Sequence, residues 1–210
     1  MVNFILLIEN ISKYSKRDID LGKTPFDVYR LCNCIRETFC LSYSIRKENN
    51  LYLYFQKEHV LIKFEGTKLR YLGPDERSQT LLLEKALSNT KKESFLENEQ
   101  WKKSTPGIFF RKFFDDSSFI TFYKSLRKGK TFLMIDHPQN VEEKVEDFNF
   151  EFIENMEVDF FIIPFYSKSR DKHKIIELFK EVKNIKPISL SKIKEVENKI
   201  LYINFRKDQQ

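Results

Sequence analysis

The feature that most constrains this chain is the run Asp159-Phe160-Phe161-Ile162-Ile163-Pro164-Phe165, apolar throughout after its first residue. A strand with one wet face alternates apolar and polar side chains. A short run without alternation belongs in a sheet covered on both faces, which is the habit of parallel sheets. Phe4 to Ile8 and Thr131 to Ile135 read the same way. Between and beyond them lie helical patterns. Val28, Leu31, Ile35 and Phe39 recur at helical spacing, as do Leu82, Leu83, Ala86 and Leu87, and then Phe119, Phe122, Tyr123 and Leu126. KHKIIELFKEV predicts a helix, PISL a short strand, and SKIKEVENKILYINF a closing helix. Alternating β and α units predict one α/β domain over residues 1–210, a parallel sheet flanked by helices. Ligands in such sheets sit at the C-terminal ends of the strands, here IDHPQN, PFYSKS and SLSKI.

The middle of the chain has a different rhythm. LYLYF and VLIKF flank QKEH as a hairpin would, and GIFFR is a further short strand. Pro74 and Asp75 suit the first turn of a helix. Ser117 or Ser118 is the expected N-cap of the helix that Gly129 stops. The polar segment SKYSKRDIDLGKTP reads as a connection.

Charge narrows the partners. With 37 basic against 31 acidic residues the net charge is +6, which favours an anionic partner such as nucleic acid without requiring one. Three cysteines, Cys32, Cys34 and Cys40, fall in one segment with no C-x-x-C pair, so no zinc site is expected and a reducing cytoplasm is. The N-terminal apolar run is too short to span a bilayer and lacks a preceding basic segment, and no later stretch approaches that length. Two Gly-Lys-Thr triplets, at Gly22 and Gly129, lack the glycine five positions earlier that a P-loop needs; Arg17 and Lys124 stand there. His59, His137 and His173 show no metal-ligand spacing.

The stretch WKKSTPGIFFRKFF, residues 101–114, admits two readings. Basic residues beside aromatics (Lys102-Lys103, Arg111-Lys112, and Arg46-Lys47 near Tyr43) suit RNA, because cations grip phosphate while ring faces stack on bases. The same residues suit a solvated rim around a core that draws on 21 phenylalanines.

Several motifs, in order, carry a family resemblance. Leu41-Ser42-Tyr43-Ser44-Ile45-Arg46-Lys47-Glu48, VLIKFEGTKLRYLGPDERS with its Pro-Asp-Glu-Arg, and Ser104-Thr105-Pro106-Gly107-Ile108 are similar to the archaeal tRNA pseudouridine N1-methyltransferases, the TrmY family of the SPOUT superfamily. FFII at 160–163 and ISLS at 188–191 resemble the strands before and inside that family's knot. The resemblance implies a C-terminal trefoil knot over about residues 130–205, a rare exception to un-knotted chains. It implies a homodimer, S-adenosylmethionine as cofactor, tRNA as partner, and methyl transfer to N1 of T-loop pseudouridine 54.

By the same resemblance Asp27 is the expected base, and Ile135, Pro164, Ile188 and Leu190 hold the cofactor through backbone groups. Arg46, Arg77, Lys103 and Arg111 hold RNA. The chain departs from the family in its cofactor half. Pro164-Phe165-Tyr166-Ser167-Lys168 stands where the family has a Gly-Asp-His-x-Gly loop, all five glycines lie at or before Gly129, and Tyr29 occupies the aligned place of the family's aspartate. The alternative function is therefore an RNA-binding or scaffolding dimer on the same fold that has lost S-adenosylmethionine.

Overall fold

The computed structural model describes residues 2–92, 100–135, 158–165, 174–190 and 192–209. Eight strands form one sheet: β1 (Asn3–Ile8), β2 (Asn50–Phe55), β3 (Val60–Glu65), β4 (Lys102–Thr105), β5 (Ile108–Lys112), β6 (Lys130–Met134), β7 (Val158–Phe165) and β8 (Ile185–Ile188). Their order across the sheet is β4-β5-β3-β2-β1-β7-β6-β8. The strands from β2 to β8 are mutually parallel. At its other end β3 runs antiparallel to β2, as the hairpin reading of LYLYF and VLIKF predicts, and β5 and β4 add on antiparallel in turn. The physical reason is connection length. Four residues join β2 to β3, and Pro106-Gly107 alone joins β4 to β5, too few for the crossover that a parallel pair requires.

The unalternating runs are explained by what covers the two faces. Phe4, Leu6, Ile8, Phe161, Ile163 and Phe165 enter one core, and Ile5, Leu7, Phe160 and Ile162 enter the other. The first core lies under α2 (Phe26–Phe39), α3 (Glu76–Lys92) and α6 (Val196–Asp208), through Leu31, Ile35, Leu83, Ala86, Ile200 and Ile203. The second lies under α4 (Asp116–Leu126) and α5 (Lys174–Lys180), through Phe119, Tyr123, Ile175 and Phe179. A chain rich in phenylalanine fills this second core with rings: Tyr54 stacks on Phe119 at 3.8 Å between centroids, and Tyr123 meets Phe179 edge-on at 5.2 Å.

Four local expectations change. The segment read as a connection contains a short helix, α1 (Lys16–Asp20), opened by a capping box between Ser15 and Asp18. The cap of α4 is Asp115, with Ser118 as its partner three positions on, because the carboxylate accepts the Ser118 amide while the Ser118 hydroxyl accepts the Asp115 amide. Pro164, which the family resemblance aligns with the start of a loop, lies in the strand that the apolar run predicts: it is the seventh residue of β7 and pairs with Leu7. Pairing of β7 with β6 stops at Ile162, so a residue without an N–H is accommodated near the strand's free end. The expected helix start at Pro74-Asp75 falls one residue later, at Glu76, with Asp75 accepting the Ser78 amide at 2.8 Å.

Candidate active site

The passage from β1 through α2 to β2, a parallel neighbour, carries the N-terminus of α2 to the edge where the parallel strands end. Asp27 sits there, in the first turn of α2. Its Oδ2 accepts the Ser12 amide at 2.6 Å, and its Oδ1 accepts the Val28 amide at 3.0 Å. The carboxylate is thus oriented by two main-chain donors, one from the segment that leaves β1.

The four residues expected to hold a cofactor come to the same edge. The Ile135 amide, just past β6, donates to the carbonyl of Ile188 at the end of β8, at 2.9 Å. Leu190 follows two residues on, and its carbonyl accepts from Ile193 at 2.9 Å. Pro164 lies next to the last residue of β7. The side chains of Ile188 and Leu190 are buried in the first core. His137, His173, Ser191 and the run Tyr166-Ser167-Lys168 lie outside the described residues.

Arg30, one turn along α2 from Asp27, was not singled out in the sequence. Its guanidinium pairs with Glu195 and, at 3.5 Å, with Glu197 at the start of α6, and its Cζ lies 5.5 Å from the Phe165 ring centroid. Its Nε is buried without a hydrogen bond among the described residues, an unmet donor beside the end of β7. No short-range pattern could have found it, since its partners come from β7 and the start of α6, far along the chain.

The expected RNA-binding residues do not converge. Arg46 pairs with Asp208 at 2.7 Å and donates to the Cys40 carbonyl, at the far end of α2 from Asp27. Fourteen helical residues separate those ends, about 20 Å. Arg77 pairs with Asp20 at 2.7 Å on an exposed surface between α1 and α3. Lys103 is exposed on the edge strand β4. Arg111, on β5, places its guanidinium 4.4 Å from the Phe122 centroid and 5.3 Å from that of Phe113. Trp101 packs edge-on against the same Phe122. The WKKSTPGIFFRKFF stretch is therefore a hairpin: Thr105 pairs with Ile108, and the Gly107 carbonyl accepts the Glu65 amide at 2.8 Å. Among the described residues no helix is long and apolar enough to cross a membrane, and no group of His, Cys, Asp and Glu is placed to hold a metal ion.

A family model described as a putative SAM-dependent RNA methyltransferase matches residues 3–159. The chain is 37% identical over 101 residues to the tRNA (pseudouridine(54)-N(1))-methyltransferase of Methanocaldococcus jannaschii, covering 45% of this chain and 49% of that one. It is 36% identical over 113 residues to the enzyme of the same name from Methanosarcina acetivorans, covering 51% and 50%. The matched part is thus about half the length of these curated relatives. Among solved structures, the fold is similar to Archaeoglobus fulgidus Nep1 bound to S-adenosylhomocysteine, with a TM-score of 0.57 over 99% of this chain and 97% of that one, at 13% identity. At that identity the likeness shows the shared fold.

Proposed function

Since the chain belongs to the family of putative SAM-dependent RNA methyltransferases, we propose that it transfers a methyl group from S-adenosylmethionine to N1 of pseudouridine 54 in tRNA. The resemblance carried by Pro-Asp-Glu-Arg and Ser-Thr-Pro-Gly-Ile holds, and the relatives of that name supply the target. The observation that carries the reading is the gathering of Asp27, Ile135, Pro164, Ile188 and Leu190 on one sheet edge from four separate parts of the chain. Ile135, Pro164, Ile188 and Leu190 would hold the cofactor through main-chain groups. When bound, S-adenosylmethionine supplies an electrophilic methyl group.

Asp27 then has two tasks. Its carboxylate, fixed by the Ser12 and Val28 amides, orients the ring N1 and accepts its proton as the new N–C bond forms. Lys103 and Arg111 offer cations to the RNA backbone, and Arg46 and Arg77 do so only at the cost of their pairs with Asp208 and Asp20. The protein acts in the cytoplasm as a homodimer, for which exposed Phe26 and Tyr29 on α2 and Leu201 and Phe205 on α6 supply an apolar surface.

Calorimetric titration with S-adenosylhomocysteine, followed by methyl transfer to a T-arm RNA, tests the reading. Micromolar binding and transfer that falls on Leu190→Trp and on Asp27→Asn support it. Full activity in both variants would show that this edge is not the site. A second reading, an RNA-binding dimer without chemistry, is favoured by the family match ending at Asp159, before the end of β7, and by the absence of glycine beyond Gly129. It predicts salt-sensitive tRNA binding that does not change when S-adenosylmethionine is added.

A further inference from the structure

A cavity of about 270 Å³ opens on the same edge of the sheet, two strands along from β7. At the usual strand spacing that is about 10 Å away. One wall is the segment Asn10–Tyr14 leaving β1, a second is the turn between β2 and β3, and the third is the last part of α3. Its base is apolar, with Phe55, Val60 and Leu87. Its rim carries Lys13, Lys57 and Lys91, all exposed and none in an ion pair among the described residues. Glu58 and Glu84 also line it, and Glu84 is engaged by the Ser88 hydroxyl at 2.6 Å.

We propose that this cavity is a second nucleotide subsite, which takes a base of the bound RNA other than the one being methylated. A base placed against Phe55, Val60 and Leu87 would leave its phosphates within reach of the three ammonium groups, the division of labour expected of single-stranded RNA sites. Two features tie the cavity to the chemistry. Ser12, in its wall, is the residue whose amide orients Asp27. Tyr14 anchors the same wall to α3 by donating its hydroxyl to the Thr80 carbonyl at 3.3 Å. Filling the cavity therefore bears on the segment that positions the proposed base. The inference rests on the proposed RNA substrate but not on cofactor binding.

The test measures T-arm RNA affinity by fluorescence anisotropy, without cofactor, across a salt series. The triple variant Lys13→Ala/Lys57→Ala/Lys91→Ala is expected to bind at least tenfold more weakly at physiological salt. Its slope of log affinity against log salt should fall by about 2, at roughly 0.7 for each lost single-strand contact. Ser88→Trp, which fills the cavity, should raise KM for the RNA while leaving S-adenosylhomocysteine affinity unchanged. Cross-linking of RNA carrying 4-thiouridine should map to residues 10–14 or 57–60. An unchanged slope in the triple variant, or cross-links confined to other peptides, would overturn the subsite. Uridine monophosphate that binds wild type but not Ser88→Trp, with RNA affinity equal in the two, would overturn it in favour of a free nucleotide. Loss of S-adenosylhomocysteine binding in wild type would sink the methyltransferase reading alone, because the RNA measurements contain no cofactor.

Discussion

At Gly107 the backbone holds φ at +82°, and a Cβ there would stand 2.4 Å from the Leu69 Cα. The dihedral alone strains any L side chain, and the close backbone leaves nowhere to relax. Gly107→Ala is expected to destabilise the protein by about 3 kcal/mol or more, read from the urea midpoint at unchanged slope. The Ser-Thr-Pro-Gly-Ile motif is thus conspicuous for a structural reason: proline then glycine is the type II turn signature, and this turn docks the hairpin on the Glu65–Arg70 segment. Asp27 is the contrasting case. Asp27→Asn keeps the size of the side chain and one of its two acceptor oxygens at a partly exposed site, so folding should survive while kcat falls by about 10²–10⁴. S-adenosylhomocysteine affinity should not move, and an equal loss of both would mean a structural role instead.

Among the elements, α4 shows how a helix end becomes sensitive to acid. The Ser118 amide and hydroxyl donate to the Asp115 carboxylate and hold its pKa below the ordinary aspartate range. A pKa depressed in the folded state contributes stability above the unfolded value, about 3.9, and that contribution is lost as pH falls through the folded value. Urea unfolding followed from pH 6 to pH 3 should therefore show a loss that Asp115→Asn reduces. The same holds for Asp18 in the cap of α1, where the Ser15 hydroxyl and amide are the donors. The seam between α2 and α6 is polar and buried. Asn204 donates to the Glu37 carbonyl at 2.7 Å and accepts from Asn49 at 3.0 Å. Asn204→Leu removes both bonds, leaving the Asn49 amide with the Thr38 carbonyl as its acceptor, and should cost about 1–3 kcal/mol in thermal or urea unfolding.

For the whole molecule, the question is what covers the outer side of α2 and α6. Phe26 is 72% exposed and Phe205 54%, far more than a helix in contact with water alone would need. In the homodimer proposed above these rings are buried. Light scattering after gel filtration should give twice the chain mass for wild type and the single-chain mass for Phe205→Glu. A wild-type monomer at tens of micromolar would remove the dimer. The basic surface is likewise distributed over the molecule, with Arg77 and Lys103 on different elements. RNA contact is then expected to lose affinity in small steps as these cations are removed, with a salt slope that falls by about 1 for each.

By itself the sequence determined which runs are strands covered on both faces, where most helices lie, that Pro106-Gly107 turns, and, through ordered motifs, the family. These are local matters: periodicity of two or 3.6, dihedral freedom, and short patterns read within a window. It also held the capping boxes of α1 and α4, as Ser15-x-x-Asp18 and Asp115-x-x-Ser118, which were legible but competed with neighbouring serines. Tertiary structure alone decided the order of the strands across the sheet, and that Arg46 is spent on Asp208 about 20 Å from Asp27. It alone brought Arg30 to Glu195 and Glu197, and walled a cavity from residues 10–14, 55–60 and 84–91. The reason is the same in each case. A contact between residues far apart in the chain depends on strand order and helix direction, and no local pattern of residues encodes either.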